Sequence, residues 1–156
     1  MKILDILTSE ALIAPALAGA DKTAVLRELA EHLAGQRPDA GIDATQLLEV
    51  LWERERLGST AIGDGIAIPH GKLPGLTGVL GAFGRHAKGV DFDSLDGSPT
   101  HLFFLLVAPE DSVGQHLKAL ARVSRLLKDR AFRERLVGAD GRAELFRLIR
   151  EEDEKL

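Results

Sequence analysis

The sequence predicts one α/β domain, a three-layer α/β/α sandwich in which a mixed sheet of about five strands is flanked by helices. Its length of 156 residues fits a single compact domain, so we expect residues 1–156 to fold as one unit. Helical periodicity occurs on both sides of a glycine-rich, strand-rich centre. In that centre Leu102–Val107 (LFFLLV) is continuously apolar, which is typical of a central strand covered on both faces.

The first third of the chain predicts a short strand and two helices. Ile13–Leu17 is a strand candidate, and its internal proline, Pro15, places it at a sheet edge. Asp21 is a helix cap, and the apolar spacing after it predicts a helix to Leu33. Asp43 caps a second helix that ends near Gly58, with a glutamine three residues after the cap as in a capping box.

The rest of the chain predicts more strands and then three helices. The strand candidates are Ile66–Ile68, Val79–Arg85 and Leu102–Val107. The helix candidates begin at Asp111 or Ser112 and run to Lys128, then cover Ala131–Leu136 and Gly141–Arg150. On the first of these helices the predicted core stripe is Val113, Leu117, Leu120, Val123 and Leu127. The acidic run Glu151–Glu154 is expected to be a solvated helix end.

Composition excludes several classes of function. The net charge of −4 argues against non-specific nucleic-acid binding, and the lack of cysteine excludes disulfides, thiolate metal sites and thiol catalysis. Acidic residues interrupt the apolar N-terminus, and no uncharged run is long enough to span a bilayer. We therefore expect a cytoplasmic protein without membrane insertion.

The stretch Gly63–Lys72 (GDGIAIPHGK) holds a histidine at the end of a short strand. Pro69 favours an extended conformation before it, and Gly71 permits a sharp turn or a close approach after it. His70 in this setting is suited to act as a nucleophile, base or ligand. A strand-end histidine that only hydrogen-bonds a carbonyl is the alternative left open by the residues alone.

Arg54 and His116 also occupy unexpected positions. Arg54 follows Leu47 and Leu51 at helical spacing and so points toward the core, where a guanidinium needs an anionic partner. His116 lies in the first turn of a helix, where free amides and the helix dipole favour a neutral imidazole. The alternatives are an arginine that reaches water at a helix end and a satisfied histidine at the core margin.

Other kinds of site find little support. Together with His86 and His101 the chain has four histidines outside the first helix, but no pair has the i, i+4 spacing of a helical zinc site. We therefore predict no metal site. The glycines around Gly65 match neither a P-loop nor a dinucleotide fingerprint, and no nucleophile elbow is present.

Taken together, two segments resemble a known signature. Glu53–Thr60 (ERERLGST) followed by Ile62–Lys72 (IGDGIAIPHGK) is similar to the signature of bacterial phosphotransferase system (PTS) IIA domains of the fructose/mannitol type. The similarity continues through Phe92-Asp93, Asp96-Gly97 and Gln115-His116-Leu117, and covers about Ile3 to Ile149. Among these domains the chain most resembles the nitrogen-regulatory branch.

This resemblance implies a set of site residues. His70 matches the phosphorylated histidine of the family, Arg54 its active-site arginine and His116 its second histidine. Residues expected to bind the phosphoryl group or the partner are Ser59, Thr60, Gly63, Gly65, Gly71 and Leu73. Leu76 and Val113 are further apolar candidates, although for Val113 we prefer an ordinary core position. One departure is His101, which stands where the family usually has an aspartate.

The resemblance also implies partners and a mechanism. Phosphate would come from a phosphohistidine on the small carrier HPr or its paralogue NPr, and would attach to the ε nitrogen of His70. No cofactor is implied, because the donor and the acceptor are both imidazole nitrogens. We expect a phosphorylation-dependent regulator, since the sequence shows no IIB-like cysteine. The alternative is a sugar-transport IIA component that passes phosphate to a separate IIB.

Overall fold

A computed structural model describes all 156 residues of the chain. The five helices are α1 (Lys22–Gln36), α2 (Ala44–Arg56), α3 (Val113–Leu126), α4 (Arg130–Val137) and α5 (Arg142–Glu154). The six strands are β1 (Ile13–Ala14), β2 (Ala61–Gly63), β3 (Ile66–Ala67), β4 (His70–Leu73), β5 (Leu80–Val90) and β6 (Thr100–Pro109). Short 3₁₀ turns cover Ile3–Asp5, Glu10–Leu12 and Pro38–Ala40. No helix is long and apolar enough to cross a membrane.

Strand β6 is the centre of a mixed sheet. The order is β1-β5-β6-β3-β2, and β4 pairs with β6 on the same side as β3. β6 is antiparallel to β5 and parallel to β3 and β4, and residues 102–108 are all buried. This confirms the prediction of a central strand covered on both faces. The sheet has six strands, whereas about five were predicted. The predicted strand Ile66–Ile68 corresponds to β3, and the short strands β2 and β4 lie before and after it in the sequence.

Helices cover both faces of the sheet. α1 and α2 pack on each other and on β5 and β4, whereas α3 packs on β6 and α5 on β1. Gly84 of β5 lies against Leu29 of α1, and Gly81, three residues earlier, lies against Ile6. Because positions three apart in a strand point to opposite faces, these contacts belong to two different layers. The predicted α/β sandwich is confirmed.

Side-chain caps define the start of the first two helices. Asp21 accepts a hydrogen bond from the amide of Ala24, and Asp43 accepts from the amides of Thr45 and Gln46. Such carboxylates satisfy amides that have no partner within the helix. Both predicted caps are therefore confirmed. β1 is also the edge strand that the proline in Ile13–Leu17 indicated.

Two predictions about helix faces were partly wrong. On α3 the buried residues are His116, Ala119, Val123 and Leu126, whereas Val113 and Leu117 are 56% and 60% exposed. The predicted stripe is confirmed at Val123 and Leu127, which are both buried, and is wrong only at the start of the helix, where His116 is buried in place of Val113 and Leu117. Asp153 is only 2% exposed and pairs with Arg122 at 2.7 Å, so the acidic end of α5 is not fully solvated.

Gly71 permits the close packing of α2 on β4. A Cβ atom at this position would overlap the side chain of Val50, so the strand that begins with His70 and the helix that carries Arg54 approach each other only because residue 71 is glycine. This contact sets the distance between the two candidate site residues.

We expect Gly71→Ala to lower the free energy of unfolding by about 1–3 kcal/mol, since the added methyl group overpacks the contact with Val50. Denaturant unfolding of Gly71→Ala, Val50→Ala and the double variant measures this effect. The double variant should be more stable than the sum of the two single effects indicates, because the smaller side chain makes room for the new methyl group. Strictly additive effects would contradict the proposed contact.

Candidate functional site

His70 stands where one extended segment is interrupted beside the central strand. β3 and β4 both run parallel to β6, with Ala67 opposite Phe103 and His70 opposite Leu106. Pro69 lies between them, and its carbonyl accepts a hydrogen bond from the amide of Leu106 at 2.9 Å. Pro69 therefore separates β3 from β4 but stays hydrogen-bonded to β6. His70 is held because β4 pairs with this buried central strand.

A hydrogen bond defines the tautomer of His70. Its Nδ1 lies 2.8 Å from the carbonyl oxygen of Ile68. A carbonyl oxygen can only accept, so Nδ1 carries the proton and Nε2 carries the lone pair. Nε2 in turn lies 3.3 Å from Nε of Arg54, which donates toward it. The imidazole therefore presents an unprotonated Nε2 beside a fixed positive charge.

Arg54 reaches the site from the last turn of α2. Its Nη1 donates to the carbonyl of Gly58 at 2.8 Å, which braces the guanidinium beside His70. The side chain is half-buried rather than fully inside the core. Its partners are a backbone carbonyl and an imidazole nitrogen. The guanidinium thus has no carboxylate partner and keeps donors available for an incoming anion.

His116 is the second imidazole at the site. It lies in the first turn of α3, is 8% exposed, and its ring centroid is 5.3 Å from that of His70 at an interplanar angle of 51°. Its Nδ1 is buried without a hydrogen-bond partner. Buried polar atoms are nearly always paired, so this nitrogen stands out as one for which the chain itself supplies no partner. The structure thus brings His70, Arg54 and His116 together.

Both imidazoles are biased toward the neutral form. Burial lowers the pKa of His70, and the positive charge of Arg54 lowers it further, against opposing effects of the Ile68 carbonyl and Glu55. Burial also lowers the pKa of His116, with smaller contributions from His70 and Lys72. A neutral imidazole has a nitrogen lone pair and is the nucleophilic form. The arrangement favours nucleophilic chemistry at Nε2 of His70 near neutral pH.

The other predicted site residues mainly shape the surrounding backbone. Ser59 donates to the carbonyl of Phe92 at 2.6 Å, and the amide and hydroxyl of Thr60 donate to Glu55. Gly63 and Gly65 flank the tight turn between β2 and β3, where Asp64 and Gly65 both have positive φ. Leu73 is 3% exposed, which leaves little of its surface for a docked protein. None of the side-chain hydrogen bonds of these residues is made to His70 itself.

An apolar surface borders the histidine pair. Val113 and Leu117 lie on either side of His116 in the sequence of α3 and are both exposed. Near the start of the same helix, Leu76 and Val113 line a cleft of about 580 Å³ whose other walls are mostly polar, including Asp111, Gln115 and Lys118. The preference for an ordinary core position at Val113 was therefore wrong, and this residue belongs to the exposed surface beside the site.

Glu55 is a buried charge that the sequence analysis missed. It is 5% exposed and forms an ion pair with Lys22 at 2.8 Å. The spacing of Leu47, Leu51 and Glu55 puts all three on the buried face of α2. The regular spacing of four residues could have identified Glu55 as buried from the sequence alone. Arg54, one residue earlier, lies at the margin of the same face.

Comparison with known proteins now defines the family. Residues 6–152 match the sequence profile described as "Phosphoenolpyruvate-dependent sugar phosphotransferase system, EIIA 2". The chain belongs to this family. A nitrogen regulatory protein of Bradyrhizobium diazoefficiens is 47% identical over 139 residues, covering 87% of this chain and 86% of the relative.

Two solved structures have the same fold as this chain. The nitrogen regulatory protein IIA-Ntr from Neisseria meningitidis superposes with a TM-score of 0.83 at 30% identity, covering 90% of this chain and 94% of that one. The IIA mannitol enzyme of Escherichia coli, solved in complex with phosphorylated IIB, gives a TM-score of 0.72 at 21% identity over 92% of this chain and 96% of that one. The higher similarity to nitrogen regulatory proteins supports the regulatory phosphocarrier branch over the sugar-transport alternative.

We expect Arg54→Gln to raise the pKa of His70 while leaving it below the ordinary value of about 6.5, because burial is the larger cause of the shift. NMR titration of the imidazole signals in wild type and variant measures this change. Arg56→Gln is the matched control, since this arginine of the same turn is exposed and should not affect His70. An unchanged His70 pKa in Arg54→Gln would rule out the electrostatic contact.

Proposed function

We propose that this PTS IIA protein accepts a phosphoryl group on Nε2 of His70 from a phosphohistidine carrier of the HPr or NPr type, and acts as a phosphorylation-dependent regulator. One observation carries this proposal. The Nδ1 proton of His70 is held by the carbonyl of Ile68, which leaves Nε2 as the lone-pair nitrogen next to Arg54. This arrangement is suited to attack on phosphorus.

The transfer step exchanges one P–N bond for another. The lone pair of His70 Nε2 attacks phosphorus, the bond between phosphorus and the donor imidazole breaks, and its electron pair returns to the donor nitrogen. Because the bond broken and the bond formed are of the same kind, catalysis requires mainly positioning and stabilisation of charge on the transferring oxygens. No cofactor enters this balance.

Arg54 and His116 have distinct roles in this step. The guanidinium of Arg54 lies next to Nε2 and can donate two parallel hydrogen bonds to the phosphoryl oxygens. The neutral ring of His116 adds a further N–H donor from α3, whereas Arg54 donates from α2. Donors already in place where negative charge is transferred lower the barrier without reorganisation.

The surface of α3 is suited to receive the donor protein. Val113 and Leu117 expose apolar side chains beside His116, and the cleft that includes Leu76 adjoins them. Exposed apolar groups close to a reactive centre are typical of protein–protein contact sites. We infer that HPr or NPr docks here and that a regulatory target, or a separate IIB, meets the same face.

The test is phosphoryl transfer from phosphoenolpyruvate through Enzyme I and HPr or NPr to this protein, followed by intact mass spectrometry. We expect wild type to gain one acid-labile phosphate and His70→Ala to gain none, because the acceptor nitrogen is missing. His86→Ala is the matched control, since His86 is hydrogen-bonded to Gly19 and Gly89 in another part of the fold. Phosphorylation that survives in His70→Ala would overturn the assignment.

A further inference from the structure

Glu55 continues the buried face of α2 with a carboxylate where an apolar residue would be expected. Its side chain is 0% exposed. A buried charge of this kind is costly unless it is paired and hydrogen-bonded. Its location next to Arg54, in the last turn of the helix, suggests a role connected with the site.

Both oxygens of the Glu55 carboxylate have ionic or hydrogen-bond partners. Lys22 lies 2.8 Å away on the first turn of α1, and the amide of Thr60 donates to both oxygens at 3.1 and 3.2 Å. The hydroxyl of Thr60 donates to the same group. A single side chain therefore ties the end of α2 to the start of α1 and to the loop before β2.

Lys22 extends this connection to the segment after β5. Its ammonium group lies 3.4 Å from the carbonyl of Phe92 and 3.3 Å from the carboxylate of Asp93, and it sits over the ring of Phe92 at 4.9 Å. Only 11% of the lysine side chain is exposed. The ion pair thus joins four parts of the chain at one point.

A continuous series of hydrogen bonds leads from this pair to His70. Thr60, which is held by Glu55, accepts at its carbonyl from the amide of Ile68 at 3.1 Å. The carbonyl of Ile68 in turn accepts from Nδ1 of His70 at 2.8 Å. Ile68, whose carbonyl fixes the histidine tautomer, is therefore anchored through its own amide to Thr60, and through Thr60 to Glu55.

A second, shorter route leads to Arg54. Its guanidinium is braced by the carbonyl of Gly58, which lies between Glu55 and Thr60. The amide of Gly58 bonds the carbonyl of Glu55 at 3.1 Å. The side chain of Glu55 therefore holds this loop at Thr60, whereas the main-chain carbonyl of the same residue holds it at Gly58.

We propose that the Lys22–Glu55 ion pair positions the phosphoacceptor site by holding the Gly58–Thr60 loop, and through it both Arg54 and the Ile68 carbonyl that orients His70. The catalytic part of this inference rests on the proposed function. Lys22 and Glu55 are positioning residues, since neither contacts the reacting nitrogen.

Loss of the Lys22–Glu55 pair is expected to affect positioning of the site more than folding. Replacing a buried ion pair by apolar residues of similar size is often neutral or stabilising, because the desolvation cost of both charges disappears. Apolar side chains provide no acceptor for the amide and hydroxyl of Thr60, however, so the loop loses its anchor. A variant without both charges should therefore fold and yet transfer phosphate poorly.

The experiment uses the double variant Lys22→Met/Glu55→Leu in the transfer assay beside wild type. We expect a folded protein that is less stable than wild type, because the buried amide and hydroxyl of Thr60 lose their acceptor, and a transfer rate lower by about 10- to 100-fold, as for misplaced catalytic groups. The matched control is Arg122→Met/Asp153→Asn, which removes the buried pair between α3 and α5 and keeps an acceptor for Ile3. This control should transfer at nearly the wild-type rate. Wild-type transfer in the first variant would overturn the proposal.

A second readout does not depend on phosphoryl transfer. Long-range ¹H–¹⁵N NMR of the His70 ring reports whether Nδ1 carries the proton, and we expect the double variant to show a mixture of tautomers. If wild type accepts no phosphate, the proposed function fails while this spectrum still tests positioning. If the double variant does not fold, Glu55→Met is measured instead; it removes the acceptor for Thr60 but leaves Lys22 paired with Asp93, and a wild-type spectrum there would overturn the proposal.

Discussion

The hydrogen bond from Nδ1 of His70 to the carbonyl of Ile68 is the interaction on which the site depends. It commits the neutral imidazole to one tautomer and directs the lone pair of Nε2 toward Arg54. Without it, either ring nitrogen would carry the proton and the nucleophile would have no fixed position. The two residues are only two apart in sequence, so this geometry depends on how the intervening Pro69 is held against the central strand.

The fold supplies that support from several directions. β6 binds the carbonyl of Pro69, α2 lies close to β4 because Gly71 lacks a side chain, and α3 brings His116 over the ring of His70. The Lys22–Glu55 pair holds the remaining loop. Rigid elements therefore carry each member of the site, as expected for a reaction in which positioning does most of the catalysis.

Some features of the site were predictable from local patterns. Pro69 before His70 indicated a held strand-end imidazole, and the helical spacing from Leu47 and Leu51 drew attention to Arg54. The same spacing pointed equally to Glu55, but a glutamate between two arginines resembles an ordinary solvated helix surface. Its partner Lys22 is 33 residues earlier (55 − 22), and no local pattern links the two.

Other features depended on tertiary contacts that a sequence pattern does not contain. The start of α3 reads as apolar at Val113 and Leu117, yet the helix turns His116 to the sheet and leaves those two exposed. The partners of Ser59 and Thr60 lie in the segment after β5 and on α2, so their roles in holding the loop could not be derived from the motif. The family resemblance supplied the proposed roles of the site residues, and their hydrogen bonds supply a physical reason for the arrangement.

We propose that Nε2 of His70 is the nucleophile because the Ile68 carbonyl occupies Nδ1. The most direct measurement is ¹⁵N NMR of the phosphorylated protein, in which coupling to phosphorus identifies the modified ring nitrogen. The account predicts coupling at Nε2, with Nδ1 still protonated and hydrogen-bonded. Phosphate on Nδ1 would contradict it, since that product requires the hydrogen bond to Ile68 to break before transfer.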